Sequence, residues 1–175
     1  MKNNSLAWVL GLILLGCSQV ANAEIRYWSL QYSQISFDTE GFAEELEPSM
    51  LVLRFGAAAN NYFSLEGRLG LGVQDDTLDL GGFGEVDLNV NYLAGLYGIF
   101  HTDIYNTTQV YGVIGFTQLE IELSGTGGTE KEAESSGSFG IGANFGPVNL
   151  EYMLYLDEDD YETYALSIGY IRQFE

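Results

Sequence analysis

The sequence predicts an all-β fold, an eight-stranded antiparallel up-and-down transmembrane β-barrel that follows a cleaved signal peptide. Three observations predict it. Large and small side chains alternate through about eight extended segments, long enough for tilted strands to cross a hydrocarbon layer, for which about nine to eleven residues suffice. Short turns between these segments alternate with longer, acid-rich connections. The chain is 46% hydrophobic with 22 glycines and two prolines, yet after the leader no apolar run approaches the ~20 residues of a membrane helix.

The leader is residues 1–23. Met1-Lys2 supplies a small positive start, Leu6 to Gly16 an apolar stretch, and Ala21-Asn22-Ala23 a small-x-small cleavage site before Glu24. A rival processing route is Leu14-Leu15-Gly16-Cys17, which loosely matches a lipoprotein box and would acylate Cys17. With ordinary cleavage the only cysteine is lost, which excludes disulfides, zinc-thiolate sites and cysteine nucleophiles together. Residues 24–175 then form one barrel domain.

The extended segments fall near 26–37, 48–57, 62–74, 86–100, 109–123, 136–146, 148–157 and 161–174. In the second, Leu51, Leu53 and Phe55 oppose Met50, Arg54 and Gly56. The third sets Phe63, Leu65, Leu69, Leu71 and Val73 against Ser64, Glu66, Arg68, Gly70 and Gly72. Phe139, Ile141, Ala143 and Phe145 of the sixth oppose Ser138, Gly140, Gly142 and Asn144. In the seventh, Val148, Leu150, Tyr152, Leu154 and Leu156 face away from Asn149, Glu151, Met153 and Tyr155. The last sets Tyr164, Leu166, Ile168, Tyr170 and Phe174 against Ala165, Ser167, Gly169 and Gln173, with Ile171 and Arg172 each in the other's phase. The first and fifth segments are mixed in both phases, and their faces stay unassigned.

Short connections are expected at Ala57 to Asn61, His101 to Thr108 and Gly146-Pro147. Between them lie four longer ones holding acid clusters, Asp38 to Glu47, Asp75 to Glu85, Glu130 to Glu134 and Asp157 to Glu162. With the N-terminus in the periplasm, Phe55, Phe63, Phe100, Phe145 and Phe174 all fall at periplasmic strand ends, where aromatic girdles sit. Phe100 points outward there if its strand runs without a bulge.

The whole mature chain resembles small outer-membrane β-barrels of the OmpA/OmpX type, the generic outer-membrane β-barrel domain family of Gram-negative bacteria. The likeness is carried by Asn60-Asn61-Tyr62-Phe63-Ser64-Leu65-Glu66-Gly67-Arg68-Leu69-Gly70 and by the closing Gly169-Tyr170-Ile171-Arg172-Gln173-Phe174. It implies export to the bacterial outer membrane, and a terminal aromatic, Phe174, read by the barrel-assembly machinery. Outer-membrane lipid and lipopolysaccharide are the expected surroundings, and the chain is expected to act as a monomer. Glu175 and Arg172 depart from the family pattern, and Arg172 is close enough to the strand end to snorkel.

Eight strands make a barrel just wide enough for side chains to fill, so a porin-like fold without a solute pore is expected. Arg54, Glu66, Arg68 and Glu151 share the inward phase, with Asn144 and Asn149 nearby, and are expected to pair as a lumen charge network. A proton path or ligand site is the other reading of the same residues.

With 25 acidic and six basic residues the net charge is −19, which excludes nucleic-acid binding through phosphate neutralisation. No catalytic, cofactor-binding or metal-ligating residue is assigned, and no cofactor is expected. His101, the only histidine, reads as a solvated turn residue with no serine obviously in reach. Gly140-x-Gly142 sits inside a strand without a following helix and is no nucleotide loop. Asp157-Glu158-Asp159-Asp160 with Glu162 reads as a solvated acidic tip, since it lacks the order and glycine of an EF-hand loop. Divalent cations are nevertheless expected at these loops, because carboxylates beside lipopolysaccharide phosphates repel unless bridged.

These readings favour a noncatalytic barrel with acidic extracellular loops, serving envelope integrity or surface interaction. The alternative is a barrel enzyme acting on lipid or peptide. A soluble lipocalin-like carrier would reverse the phases, with leucine and phenylalanine inside.

Overall fold

The computed structural model describes residues 25–39, 46–79, 85–104, 107–125, 128–157 and 161–174. The expected signal peptide, with Cys17, and the acids Glu158, Asp159 and Asp160 lie outside the described residues. The strands are β1 (Ile25–Thr39), β2 (Ser49–Asn60), β3 (Phe63–Gln74), β4 (Asp76–Asp79), β5 (Glu85–His101), β6 (Thr108–Gly125), β7 (Gly128–Phe145), β8 (Val148–Asp157) and β9 (Tyr161–Phe174).

Apart from β3 and β4, strands consecutive in sequence pair with one another in the sheet, and all pairings are antiparallel. Both β3 and β4 pair with β5, at Leu93–Phe100 and Glu85–Leu88 respectively, so β4 resumes the line of β3 after a break. The wall therefore has eight staves. A ladder from Arg26 opposite Phe174 to Thr39 opposite Tyr161 joins β1 to β9 and closes it. Closure removes strand edges, each unpaired backbone group of which costs several kcal/mol in lipid.

Two tight turns show how local sequence sets the register. At Asn60-Asn61-Tyr62 the Asn60 Oδ1 accepts from the Tyr62 amide at 2.8 Å, mimicking a backbone turn. Gly146 takes φ 59°, the positive value that the first central residue of a two-residue hairpin needs and that Pro147 could not adopt.

The outer wall is apolar where it should meet lipid. Leu51, Leu69, Leu71, Ile114, Phe116, Phe139, Ile141, Leu150, Leu166 and Ile168 are all exposed. Phe55, Phe100, Phe145 and Phe174 are exposed at the short-turn end, with Phe63 half-buried against Phe100 at 5.2 Å between ring centroids. Trp28 and Tyr170 add a further aromatic contact at 6.0 Å. Arg172 is exposed outside, while Ile171 lines the mouth of the lumen, which explains both irregularities of the last strand.

Three expectations need correction. Glu130 to Glu134 do not occupy a loop: they are part of β7, laddered to β6 up to Gly125 opposite Gly128. Their period of two, with Lys131 and Ala133 between the acids, is a strand pattern that charge alone disguises. Likewise part of the Asp75 to Glu85 segment is strand β4. Third, β5 carries a bulge at Asn91, between Val90 and Tyr92. An extra residue inverts the phase, so Leu88 and Val90 point inward while Phe100 still points out.

The two unassigned strands also become readable. In β1 the inward phase is Tyr27, Ser29, Gln31, Ser33, Ile35 and Phe37, with Leu30 and Tyr32 outside. In β6 it is Tyr111, Val113, Thr117 and Leu119, with Ile114 and Phe116 outside. Each inward phase crosses from polar or aromatic to aliphatic surroundings, and each outward phase leaves the apolar band and turns polar. Neither face keeps one chemistry along its length.

Candidate functional site

The lumen is built in two layers. Nearer the long connections, Ile35, Met50, Val52, Leu88, Val90, Leu93, Leu119, Met153 and Tyr155 pack into one apolar cluster. Below it, towards the short turns, lies the expected charge network. Arg54, Glu66, Arg68 and Glu151 are there brought together at 2, 1, 0 and 2% exposure.

The geometry follows from the ladder. Arg54 on β2 stands directly opposite Arg68 on β3, two like charges that repel. Glu66, two residues before Arg68 and on the same face, separates them: its Oε1 accepts from Arg54 Nε at 2.8 Å and Arg68 Nε at 2.7 Å, and its Oε2 from Arg54 Nη2 at 2.7 Å. Tyr27 donates to the same Oε2 at 2.7 Å. Glu151 reaches from β8, where its Oε1 and Oε2 take Arg68 Nη1 and Nη2 at 2.5 and 3.0 Å. Its Oε2 also lies 3.3 Å from Arg54 Nη1 and accepts from Tyr111 at 2.9 Å.

The four charges sum to zero, and the bidentate geometry satisfies the forks of two buried guanidiniums. Asn149 accepts from Arg54 Nη1 at 3.0 Å and from Gln31, and donates to Tyr111 and to Asn144 Oδ1, both at 2.7 Å. Arg68 lies over the Tyr97 ring at 4.3 Å. All six polar residues picked from the sequence are thus in one network. Sequence reasoning misses tyrosines 27, 97 and 111 and Gln31. Only the inward phase of their strands could find them, and in β1 and β6 that phase is unreadable from alternation.

Beneath the network a cavity of about 310 Å³ opens at the short-turn end, bounded by Tyr27, Arg54, Asn60, Ser64, His101 and Tyr111 among others. Here the expectation for His101 is corrected. It is the last residue of β5, half-buried, and its Nε2 lies 2.8 Å from Ser64 Oγ. The register places Phe63 opposite Phe100, which brings the adjacent Ser64 and His101 side by side in a way that their separation in sequence hides. Its Nδ1 has no hydrogen-bond partner among the described residues, so the pair has no orienting carboxylate there.

The long-connection end is acidic. Glu47, Asp76, Asp87, Glu120, Glu122 and the β7 acids stand at or above the rim, and Lys131 is the cation among these residues, 2.6 Å from Glu122. That hydrogen bond holds Glu122 below the usual carboxylate range and Lys131 above the usual amine range. Asp76 Oδ2 accepts from the Glu47 amide at 2.7 Å, and Thr77 donates to Asp87 at 2.7 Å. Among the described residues no three acids, histidines or cysteines converge as a metal cage.

No curated protein matches the chain. Solved structures do. The attachment invasion locus protein Ail of Yersinia pestis superposes with a TM-score of 0.62 at 18% identity, over 86% of this chain and 98% of that one. Neisserial surface protein A gives 0.56 at 13%, over 85% and 97%. The N-terminal barrel of Pseudomonas aeruginosa OprF gives 0.51 at 12%, over 82% and 97%. At these identities the likeness is one of fold. The family model of the outer membrane protein beta-barrel domain matches residues 8–174, and the chain belongs to that family of bacterial outer-membrane barrels.

Proposed function

We propose that the protein is a noncatalytic integral outer-membrane barrel whose acidic extracellular end acts as the working surface, holding divalent cations against lipopolysaccharide and receiving cationic partners. The observation that carries this reading is the division of labour along the axis. Lumen charges are consumed by one another beneath an apolar layer, whereas the rim acids stand in solvent with one lysine among the described residues there. Short turns face the periplasm in this class of barrel, which puts that rim outside the cell.

The test is to compare cells displaying the wild-type barrel with cells displaying a variant carrying Glu→Gln at positions 47, 120 and 122. Wild-type cells should retain more cationic probe and lose outer-membrane integrity more readily when magnesium is chelated. Equal behaviour of the two refutes the reading.

One observation favours a second reading, an enzyme acting on lipid or peptide: Ser64 Oγ meets His101 Nε2 at the wall of a cavity. A serine-directed phosphonate that labels the wild type and spares Ser64→Ala would favour it. Absence of labelling removes it.

A further inference from the structure

We infer that Arg26, Trp28 and Arg172, on the outer wall at the short-turn end of the seam, form a binding site for the headgroup of an anionic phospholipid in the periplasmic leaflet. The site lies at the opposite end of the barrel from the acidic surface and goes beyond the role proposed for that surface.

The placement of positive charge points there. Residues 24–175 hold five basic side chains, the six of the whole sequence less Lys2. Arg54 and Arg68 are consumed in the lumen, and Lys131 is engaged by Glu122 at the acidic rim. The other two, Arg26 and Arg172, are both exposed and both near the periplasmic ends of their strands. Neither serves the lumen, because the inward phase beside them is Tyr27 and Ser29 in β1 and Ile171 and Gln173 in β9.

The seam brings the two together. Arg26 stands opposite Phe174 and Trp28 opposite Arg172, so the arginines are diagonal neighbours on one face, about 7–8 Å apart at the backbone. From that spacing two long side chains can converge on one phosphate, which a guanidinium fork grips with paired hydrogen bonds. Trp28 fixes the depth. It faces Phe55 of the girdle across the β1–β2 ladder and leans on Tyr170, and side chains at girdle level meet headgroups rather than acyl chains. On the other flank β8 begins at Val148 opposite Tyr170, and the turn before it is tied by the Ile171 amide donating to the Pro147 carbonyl at 2.8 Å. Among the described residues, Arg172 and Phe174 therefore pair with β1 alone, which leaves that flank open to a headgroup.

Charge selects the lipid. A phosphate held by two guanidiniums leaves one positive charge in surplus, and a zwitterionic headgroup would bring its own ammonium against it. A glycerol headgroup or a second phosphate would not, so the class is a net-anionic phospholipid such as phosphatidylglycerol or cardiolipin. The chain as a whole, at −19, repels such lipids, and any preference for them has to be local.

Trp28 supplies the reporter, because the other tryptophan, Trp8, falls within residues 1–23. The mature chain, residues 24–175, is refolded into phosphatidylcholine vesicles, with folding checked by heat-modifiable migration. Phosphatidylglycerol or phosphatidylcholine brominated high on its acyl chains is then included at equal mole fraction. Bromine quenches indole fluorescence on contact, so quenching reads the relative association of each lipid at Trp28. Phosphatidylglycerol should be favoured about tenfold in the wild type, and R26Q/R172Q should bring the two lipids level. R26K/R172K should keep most of the preference, since both charges remain. If the double glutamine variant fails to fold, R172Q alone carries the test and should cut the preference about threefold. Equal quenching by the two lipids in the wild type, or a preference that survives loss of the arginines, overturns the site.

Discussion

The upper and lower halves of the lumen solve one problem in opposite ways. Both are filled by inward side chains of the same eight staves, in a tube just wide enough for side chains to occupy. The upper half uses Met50, Val52, Leu93, Leu119 and Met153, which are interchangeable in kind and tolerant of modest reshaping. The lower half uses four charges and their tyrosine and amide partners, each with a fixed number of bonds to satisfy. One layer supplies cohesion, and the other supplies register, since a one-residue slip of β2, β3 or β8 would carry a charge into lipid.

The largest way to break that contrast is to remove one member of the lower layer. Glu66→Gln leaves Arg54 and Arg68 facing each other with only the Glu151 carboxylate between two positive charges, and should cost about 3–5 kcal/mol in urea unfolding of the detergent-refolded barrel. Replacing all four charges together by leucine and methionine should recover most of that loss, because no buried charge is then orphaned. Equal destabilisation by the single and quadruple variants would show that the network acts through packing alone.

In the upper layer, Leu119→Ala should cost about 2–4 kcal/mol by the same measurement, with the register of β6 and β7 unchanged in amide exchange. At the seam, Phe174→Ala should lower the fraction of protein that migrates as folded after assembly in cells, with little change in the unfolding midpoint of what does fold. Arg172→Leu should leave both readouts unchanged, its side chain being exposed at the strand end.

The smallest effect is expected at Lys131 and Glu122. Because Glu122 is held below its ordinary value, its contribution is complete above the unfolded carboxylate pKa and fades as pH falls through the lower folded one. Amide exchange at the β6–β7 tip should therefore quicken slightly on acidification. Lys131→Gln should abolish that dependence without moving the unfolding midpoint.

Strands whose two faces keep one chemistry from end to end, such as β3 and β7 near Phe139, can be read directly from alternation. So can Arg54, Glu66, Arg68, Glu151, Asn144 and Asn149, because a charge in the small-residue phase of a lipid-facing strand has only the lumen to occupy. What stays hidden has a physical cause in each case. An inward tyrosine such as Tyr27 or Tyr111 looks in sequence like an outward one such as Tyr152. A single bulge at Asn91 swaps the faces of half of β5. Glutamates in β7 look like loop because a strand that rises above the bilayer no longer needs an apolar side. The contact of His101 with Ser64 depends on register between β3 and β5, which pattern alone does not supply.

The charge network also ties together strands far apart in the sequence. Arg54, Glu66 and Arg68 come from β2 and β3, whereas Glu151 lies on β8. Without β8 in its native register, two guanidiniums would face one carboxylate, a surplus positive charge that a buried setting penalises heavily. The interior becomes electrically neutral only when β8 sits in that register, so the residues that fill the lumen also mark the correct placement of a distant strand.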